Sequence, residues 1–304
     1  MNKNNDSKIK IATHDGKFHA DDCFSVSAIL CYLKKELSDV EVTRSRDKKD
    51  WDRADFLVDV GNVYDEVNNR FDHHQEGGAG ARTNGIPYAS FGLVWKKYGP
   101  EICGGLKEVA DSVDETLVAT VDAFDNGMDL VKPVIGDVFP YVFDRFALAS
   151  NPSWIEKKES AEDNFREVVG IFKRVVEREV VFSTAKYRAR EEIMESYRSA
   201  EDKRLIVLNK DYPWQAILSS LKEPLYAVYP RDDGTFGIKA VRDSVLDFKN
   251  RKNLPADWAG KRDRELQEAS GVSDAVFCHN SRFMAVAKTQ EGAVELAKRA
   301  LNRR

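Results

Sequence analysis

Ile9-Lys10-Ile11-Ala12-Thr13-His14-Asp15-Gly16-Lys17-Phe18-His19-Ala20-Asp21-Asp22 passes from an alternating apolar run into two histidines and three carboxylates. Ile9–Thr13 reads as a short strand, which leaves His14 just past its carboxyl end. Asp21 to Leu37 reads as a helix. Phe24, Ala28, Leu30, Cys31 and Leu37 recur at helical intervals, and Asp21 and Asp22 stand in the first turn, where the positive helix end favours carboxylates. Working outward, strands are expected at Val40–Thr43 and Phe56–Val60, the latter closed by Gly61. Helices fit Ala89–Tyr98, ended by Gly99-Pro100, and Val113–Phe124, ended near Gly127. Strands alternating with helices indicate βαβ units and a mainly parallel sheet. Ligands of such sheets collect beyond the carboxyl ends of the strands, where both His14 and Asp59 fall.

Trp154 to Ala200 is charge-rich, with Phe165, Val168, Val169, Phe172, Val175 and Val176 at helical spacing, and predicts two long helices. Strand-like runs follow at Arg204–Leu208, Tyr226–Tyr229, Phe236–Val241, Ala275–Cys278 and Phe283–Ala287, with Asp233-Gly234 as a hairpin turn. Glu291 to Leu301 closes the chain as a helix. The expected fold class is therefore α/β, with a parallel-sheet catalytic domain over 1–150, a helical linker over 151–203 and a smaller α+β substrate domain over 204–304.

The 304 residues are 42% hydrophobic and 32% charged, ordinary for a globular protein. No apolar run approaches the ~18 residues that span a bilayer. The polar start Met1-Asn2-Lys3-Asn4-Asn5-Asp6 lacks a signal peptide's pattern, so a cytoplasmic location without membrane partners is expected. Cys23, Cys31, Cys103 and Cys278 have no CxxC spacing and read as reduced, buried small residues. Residues 1–150 carry 18 Lys and Arg against 26 Asp and Glu, a net −8, whereas 231–304 carry 15 against 11, a net +4. A cation-attracting domain beside an anion-attracting one fits that asymmetry.

Four of the five histidines fall in His14–His19 and in Asp72-His73-His74-Gln75. Imidazole and carboxylate donors together bind divalent transition metals, and a two-ion site needs several such ligands with one usually bridging. The candidates are His14, His19, Asp21, Asp59, His73 and either Asp122 or Asp125. Asp15 and Asp22 read as surface and helix-start carboxylates, and Asp72 and His74 as groups that orient ligands. Mixed nitrogen and oxygen donors favour Mn²⁺, Fe²⁺, Co²⁺ or Zn²⁺ over Mg²⁺, with Mn²⁺ the first choice.

The runs Thr13–Asp22, Val58-Asp59-Val60-Gly61 and Phe71-Asp72-His73-His74-Gln75 closely resemble the MYG (melanocyte proliferating gene) family of the DHH phosphoesterase superfamily. Asp122-Ala123-Phe124-Asp125-Asn126-Gly127, Asn151-Pro152-Ser153-Trp154, Leu254–Gly260 and Phe277–Phe283 agree with it, so the resemblance runs nearly end to end. It implies an N-terminal DHH-type domain, a helical linker and a C-terminal substrate-binding domain. It implies two-ion hydrolysis of phosphoesters, as in 3′-to-5′ exonucleases acting on RNA or short oligonucleotides. Small-molecule phosphatase or pyrophosphatase activity, or a metal-stabilised regulatory protein without turnover, are the alternatives.

Carried onto this chain, the metal ligands are His14, His19, Asp21, Asp59, His73 and Asp125, with Asp59 as the bridge. His73, Asp59 and His74 form the catalytic set, with His74 orienting the site or acting as general acid. His19-Ala20-Asp21 departs from the superfamily's usual Asp-x-Asp, exchanging an oxygen ligand for nitrogen. By itself His279-Asn280-Ser281-Arg282 reads as a hairpin turn with a solvated arginine. The resemblance implies instead a substrate-binding loop in which Arg282 offers a fork to phosphate. Lys261 and Arg262 are weaker candidates of the same kind.

Overall fold

A computed structural model describes residues 8–156 and 161–303. The chain divides into two units, Met1–Thr184 and Ala185–Arg304.

In the first unit, strands β1 (Ile9–Thr13), β2 (Val40–Arg44), β3 (Phe56–Val58), β4 (Tyr64–Asp65) and β5 (Arg70–Phe71) form one sheet in the order β2-β1-β3-β5-β4. β1 pairs parallel with β2 and β3, and β3 pairs parallel with β5; only β4 is antiparallel. The mainly parallel α/β reading therefore holds. Helix α1 (Ala20–Leu33) connects β1 to β2 and is buried from Ala20 to Leu30. Over that stretch the helix has no exposed face, so its polar side chains need internal partners: the Ser27 hydroxyl donates to the carbonyls of Cys23 (2.7 Å) and Val169 (3.0 Å). The helix stops at Leu33, short of Leu37, because Lys34 turns left-handed and Lys35 N–H closes on the Leu30 carbonyl at 3.0 Å.

A four-residue turn, α2 (Lys48–Trp51), precedes β3, and α3 (Ser90–Ile102) follows β5. The expected stop at Gly99-Pro100 does not occur. The proline sits in the last turn, where only one backbone bond is lost, and Cys103 N–H still reaches the Gly99 carbonyl at 2.9 Å. Gly99 is needed for another reason: a Cβ there would press on the Trp95 indole at 2.8 Å. The predicted Val113–Phe124 helix is composite. α4 (Lys107–Val113) passes through a π turn at Asp114–Val118 into α5 (Ala119–Asp125). α6 (Phe143–Ser150) follows.

In place of two helices, a single α7 (Ala161–Ser199) runs for 39 residues. Gly170 is its one glycine, costing about 1 kcal/mol, no proline interrupts it, and its Glu, Arg and Lys content favours uninterrupted helix. Residues 157–160 of the expected helical stretch lie outside the described ones. Phe165, Val168, Val169, Phe172 and Val176 are buried, and the Phe172 ring stacks on Phe24 at 4.0 Å, with Phe91 on the other partner at 5.0 Å. These aromatics bind α1, α3 and α7 into the first core.

The second unit holds β6 (Leu205–Val207), β7 (Tyr226–Pro230), β8 (Phe236–Ala240), β9 (Ala275–Cys278) and β10 (Met284–Ala287) in the order β6-β7-β8-β10-β9. Asp233-Gly234 makes the expected antiparallel turn between β7 and β8. Helices α8 (Gln215–Ser220), α9 (Asp263–Ser270) and α10 (Gln290–Asn302) complete it, and Leu296, Ala297 and Ala300 of α10 pack into its core beside Trp258. All four cysteines are free; Cys23, Cys103 and Cys278 are buried and Cys31 is half-buried. No described helix is long and apolar enough to cross a membrane.

Candidate metal centre

Because β1, β3 and β5 are neighbours in parallel, their carboxyl ends release His14, Asp59 and the Asp72-His73-His74 run side by side. Asp59 stands at the centre. It adopts the left-handed conformation, φ 53°, which aspartate tolerates better than most residues. Its N–H is held by the Phe71 carbonyl and the Ser90 hydroxyl, both at 3.0 Å, and the Ser90 hydroxyl donates in turn to that carbonyl. The buried carboxylate then faces three imidazoles. Its Oδ2 lies 3.2 Å from His14 Nε2, and its Oδ1 lies 3.5 Å from both His73 Nε2 and His74 Nδ1.

Two more carboxylates close on the same histidines. Asp22 Oδ2 lies 3.5 Å from His14 Nε2, and Asp125 Oδ2 lies 3.1 Å from His73 Nε2. His14 Nε2, Asp22 Oδ2, Asp59 Oδ1 and His73 Nε2 are buried and lack hydrogen bonds. A buried polar atom left without a partner costs about 1–3 kcal/mol, so four that converge are arranged for something other than one another. Their donor atoms form three groups, each within 4.8 Å: His14, His19, Asp22 and Asp59; Asp59, His73 and His74; Asp21, His73 and Asp125. Asp59 and His73 each belong to two groups. Mixed imidazole and carboxylate donors of this kind fit a divalent transition metal.

Around these atoms the support is dense. Asp72 Oδ1 accepts from His73 N–H (2.8 Å), His74 N–H (3.1 Å) and His74 Nδ1 (2.8 Å), while its Oδ2 accepts from Asn62 N–H (2.5 Å). His14 Nδ1 meets the Asp15 carbonyl at 2.8 Å, which leaves Nε2 to face the site. Asp21 caps α3, accepting from Ser90 N–H (3.0 Å) and Phe91 N–H (2.7 Å). Electrostatics follow the crowding. Burial opposes charge on His14, but the carboxylates of Asp59, 3.2 Å away, and of Asp22 push it up to about 9. Burial likewise opposes charge on His73, and Asp125 and Asp59 outweigh it, pushing it up to about 11. Burial and the charge of His14 lower His19. Burial and neighbouring Asp125 hold Asp21 well above the carboxylate range.

All six expected ligands, His14, His19, Asp21, Asp59, His73 and Asp125, are brought together. The alternative Asp122 is not: it is buried with Oδ1 accepting from Gly92 N–H at 2.9 Å and Oδ2 from Arg82 Nη1 at 2.7 Å. Asp22, read as a helix-start carboxylate, belongs to the cluster as well. Its Oδ1 does cap the helix start, accepting from His19 N–H at 2.7 Å, but its Oδ2 turns inward to His14. The sequence carried that signal only as a second aspartate beside Asp21. Asp15 remains at the surface, 2.9 Å from Arg46.

The site opens into a cleft of about 570 Å³ whose walls include His19, His74, Asp125, Asp144 and Trp51. Asp144 was not singled out by sequence; burial and the charge of Asp125 push it up to about 6. His279-Asn280-Ser281-Arg282 lies in the second unit and forms the turn between β9 and β10. There Ser281 N–H donates to His279 Nδ1 at 3.0 Å, Arg282 is left-handed at φ 59°, and the His279 ring lies 4.4 Å from Phe283. Lys261 and Arg262 precede α9, where the Arg262 guanidinium lies 4.5 Å over the Phe277 ring.

A family model described as an uncharacterised protein family, UPF0160, matches residues 10–301. A MYG1 protein of Dictyostelium discoideum is 30% identical over 328 residues, covering 97% of each chain. A MYG1 protein of Schizosaccharomyces pombe is 29% identical over 327 residues, covering 97% of this chain and 98% of its own. A human protein named MYG1 exonuclease is 27% identical over 334 residues, covering 97% of this chain and 86% of its own.

Proposed function

The chain belongs to the MYG1 family (UPF0160), and from that premise we propose that it is a metal-dependent phosphoesterase of the DHH type, a 3′-to-5′ exonuclease acting on RNA or short oligonucleotides. The observation that carries the reading is the convergence of four partnerless buried donor atoms around Asp59 from three adjacent strand ends and a helix start. The exonuclease name of the human and mouse relatives supports the reaction class.

His14, His19 and Asp22 would hold one divalent ion and His73, Asp21 and Asp125 a second, with Asp59 within reach of both groups; Mn²⁺ is our first choice among the transition metals that such mixed donors suit. Divalent ions in such a site lower the pKa of water and stabilise charge on the attacking and leaving oxygens of an in-line displacement. The chain's own residues do the rest. Asp72 fixes the ring of His74 through Nδ1, which leaves Nε2 of a half-exposed imidazole at the cleft to hydrogen-bond the leaving oxygen and deliver a proton to it. His279, Asn280, Ser281 and Arg282 contribute substrate contacts, the arginine to phosphate.

The test is a Mn²⁺-supplemented assay on 5′-labelled RNA and DNA oligomers, with pyrophosphate and cyclic dinucleotides alongside. A ladder shortening from the 3′ end is expected. His73→Ala and Asp59→Asn should each abolish hydrolysis while the chain stays folded. Asparagine is the better replacement at 59 because it tolerates the left-handed backbone, so lost activity there reports the carboxylate alone. Unchanged turnover in either variant overturns the site, and cleavage of pyrophosphate but of no oligomer overturns the substrate class.

A further inference from the structure

The second unit carries a cleft of about 590 Å³ whose walls include Lys239, Arg242, Phe248 and Phe283. Its frame is firmly built. After β8, Asp243 N–H bonds the Lys249 carbonyl (2.8 Å) and Arg251 N–H bonds the Val241 carbonyl (2.9 Å), which folds residues 242–250 into a flap beside the sheet. The Arg251 guanidinium pins that flap to the carbonyls of Ser219 (2.7 Å) and Pro224 (3.0 Å), and the Tyr226 hydroxyl holds the Asn253 carbonyl at 2.9 Å.

Inside this frame two cations have no ion-pair partner. Among the described residues neither Lys239 nor Arg242 forms a salt bridge, and the carboxylate beside them in sequence, Asp243, is taken by Lys249 at 2.9 Å. Burial and the neighbouring Arg242 hold the half-buried Lys239 ammonium below the usual lysine range; Asp211 counters them only in part. A pair of like charges in a partly desolvated cleft is an unfavourable arrangement that an anion relieves. The apolar neighbours narrow the ligand further. The Arg242 guanidinium lies 4.5 Å over the Phe248 ring, and that residue is 84% exposed, which leaves aromatic surface beside the two cations on which a base can stack.

We infer that this cleft binds a nucleotide of a phosphodiester strand, with Lys239 and Arg242 on a phosphate and the Phe248 face on the attached base. Arginine supplies a planar fork for two phosphate oxygens and lysine a point charge. The choice of a nucleotide over another phosphorylated ligand rests on the nuclease reading; the anion site does not.

The experiment measures binding without turnover. The full chain in EDTA is titrated against a 5′-fluorescent five-nucleotide RNA by anisotropy, with inorganic phosphate as competitor. Lys239→Gln/Arg242→Gln should weaken RNA binding at least tenfold and make its salt dependence shallower by about two counterions, roughly one per cation removed. Phe248→Ala, at an exposed position where folding is not at issue, should weaken RNA several-fold and leave phosphate competition unchanged. Equal RNA affinity in wild type and the double variant, with matching melting curves, overturns the site. RNA binding no tighter than phosphate overturns the nucleotide. If the chain cleaves RNA while the double variant binds it normally, the cleft falls and the nuclease reading stands. If His73→Ala is inactive yet loses RNA affinity only when Lys239 and Arg242 are also replaced, both stand.

Discussion

Asp144 shows how a single side chain is governed by where it is placed. It lines the metal cleft, its Oδ2 is buried without a partner, and burial together with Asp125 pushes it up to about 6 from an ordinary value near 3.8. A group whose folded pKa exceeds its unfolded one binds the proton more readily when folded. Its contribution to stability is therefore complete below pH 4 and is lost as pH rises through 6. Asp144→Asn, which removes the titration, should melt above wild type at pH 8 in EDTA and match it below pH 4. A constant offset across that range, followed by circular dichroism, refutes the assignment. Asp59 is the opposite case: burial raises its pKa, and the close approach of the His14 and His73 imidazoles more than reverses this, holding it ionised. Two aspartates of one cleft thus ionise in different pH ranges because only one has imidazoles against it.

At the scale of elements, the helix that ends in Asp125 is fastened by an arginine that sequence motifs did not mark. Arg82 grips Asp114 through Nε (2.8 Å) and Nη2 (2.7 Å), and Asp122 through Nη1 (2.7 Å), while stacking 4.5 Å from the Tyr88 ring. Burial opposes its charge, and the two carboxylates more than restore it. Asp114 opens the π turn and Asp122 lies one helical turn before Asp125, so the fork sets both ends of the segment that presents a proposed ligand. Gly92 completes the arrangement, since a Cβ there would collide with the Asp122 carboxylate. Arg82→Met should cost about 3–5 kcal/mol in urea unfolding, because it leaves Asp122 buried and unpaired. Arg82→Lys should recover only part, for lack of the fork. A loss below about 0.5 kcal/mol in the methionine variant would show that the triad does not hold the helix.

At the scale of the whole molecule, the proposed ligands come from the ends of β1, β3 and β5, the start of α1 and the end of α5, elements far apart in sequence. An ion bound among them cross-links the first unit and has no equivalent partner in the unfolded chain. Mn²⁺ at a hundred times its Kd should therefore stabilise the full chain by about 2.7 kcal/mol, read as a rise in Tm by calorimetry, and His73→Ala should lose most of that rise. An equal rise in the variant would place the metal elsewhere.

The alternation of strands and helices, the hairpin at Asp233-Gly234 and the histidine-bearing segments were legible from local pattern, because side-chain periodicity and turn chemistry act over a few residues. The resemblance to a family ordered the ligand candidates. Local pattern misjudged where helices stop: Lys34 ends α1 without a glycine, α3 passes through Pro100, and α7 is one helix rather than two. In each case packing and backbone closure outweigh intrinsic preference. The positions of Asp125 against His73, of Asp122 against Arg82 and of Asp22 against His14, and the parts played by Asp144 and Arg82, required the tertiary structure. Two carboxylates three residues apart on one helix look equivalent until their surroundings differ, and only folding puts an arginine against one and an imidazole against the other. The sequence by itself determined which donors the chain has and which strands carry them. The tertiary structure decided which donor atoms meet, because that depends on the strand order β1-β3-β5 and on the hydrogen bonds that occupy neighbouring carboxylates such as Asp72 and Asp122.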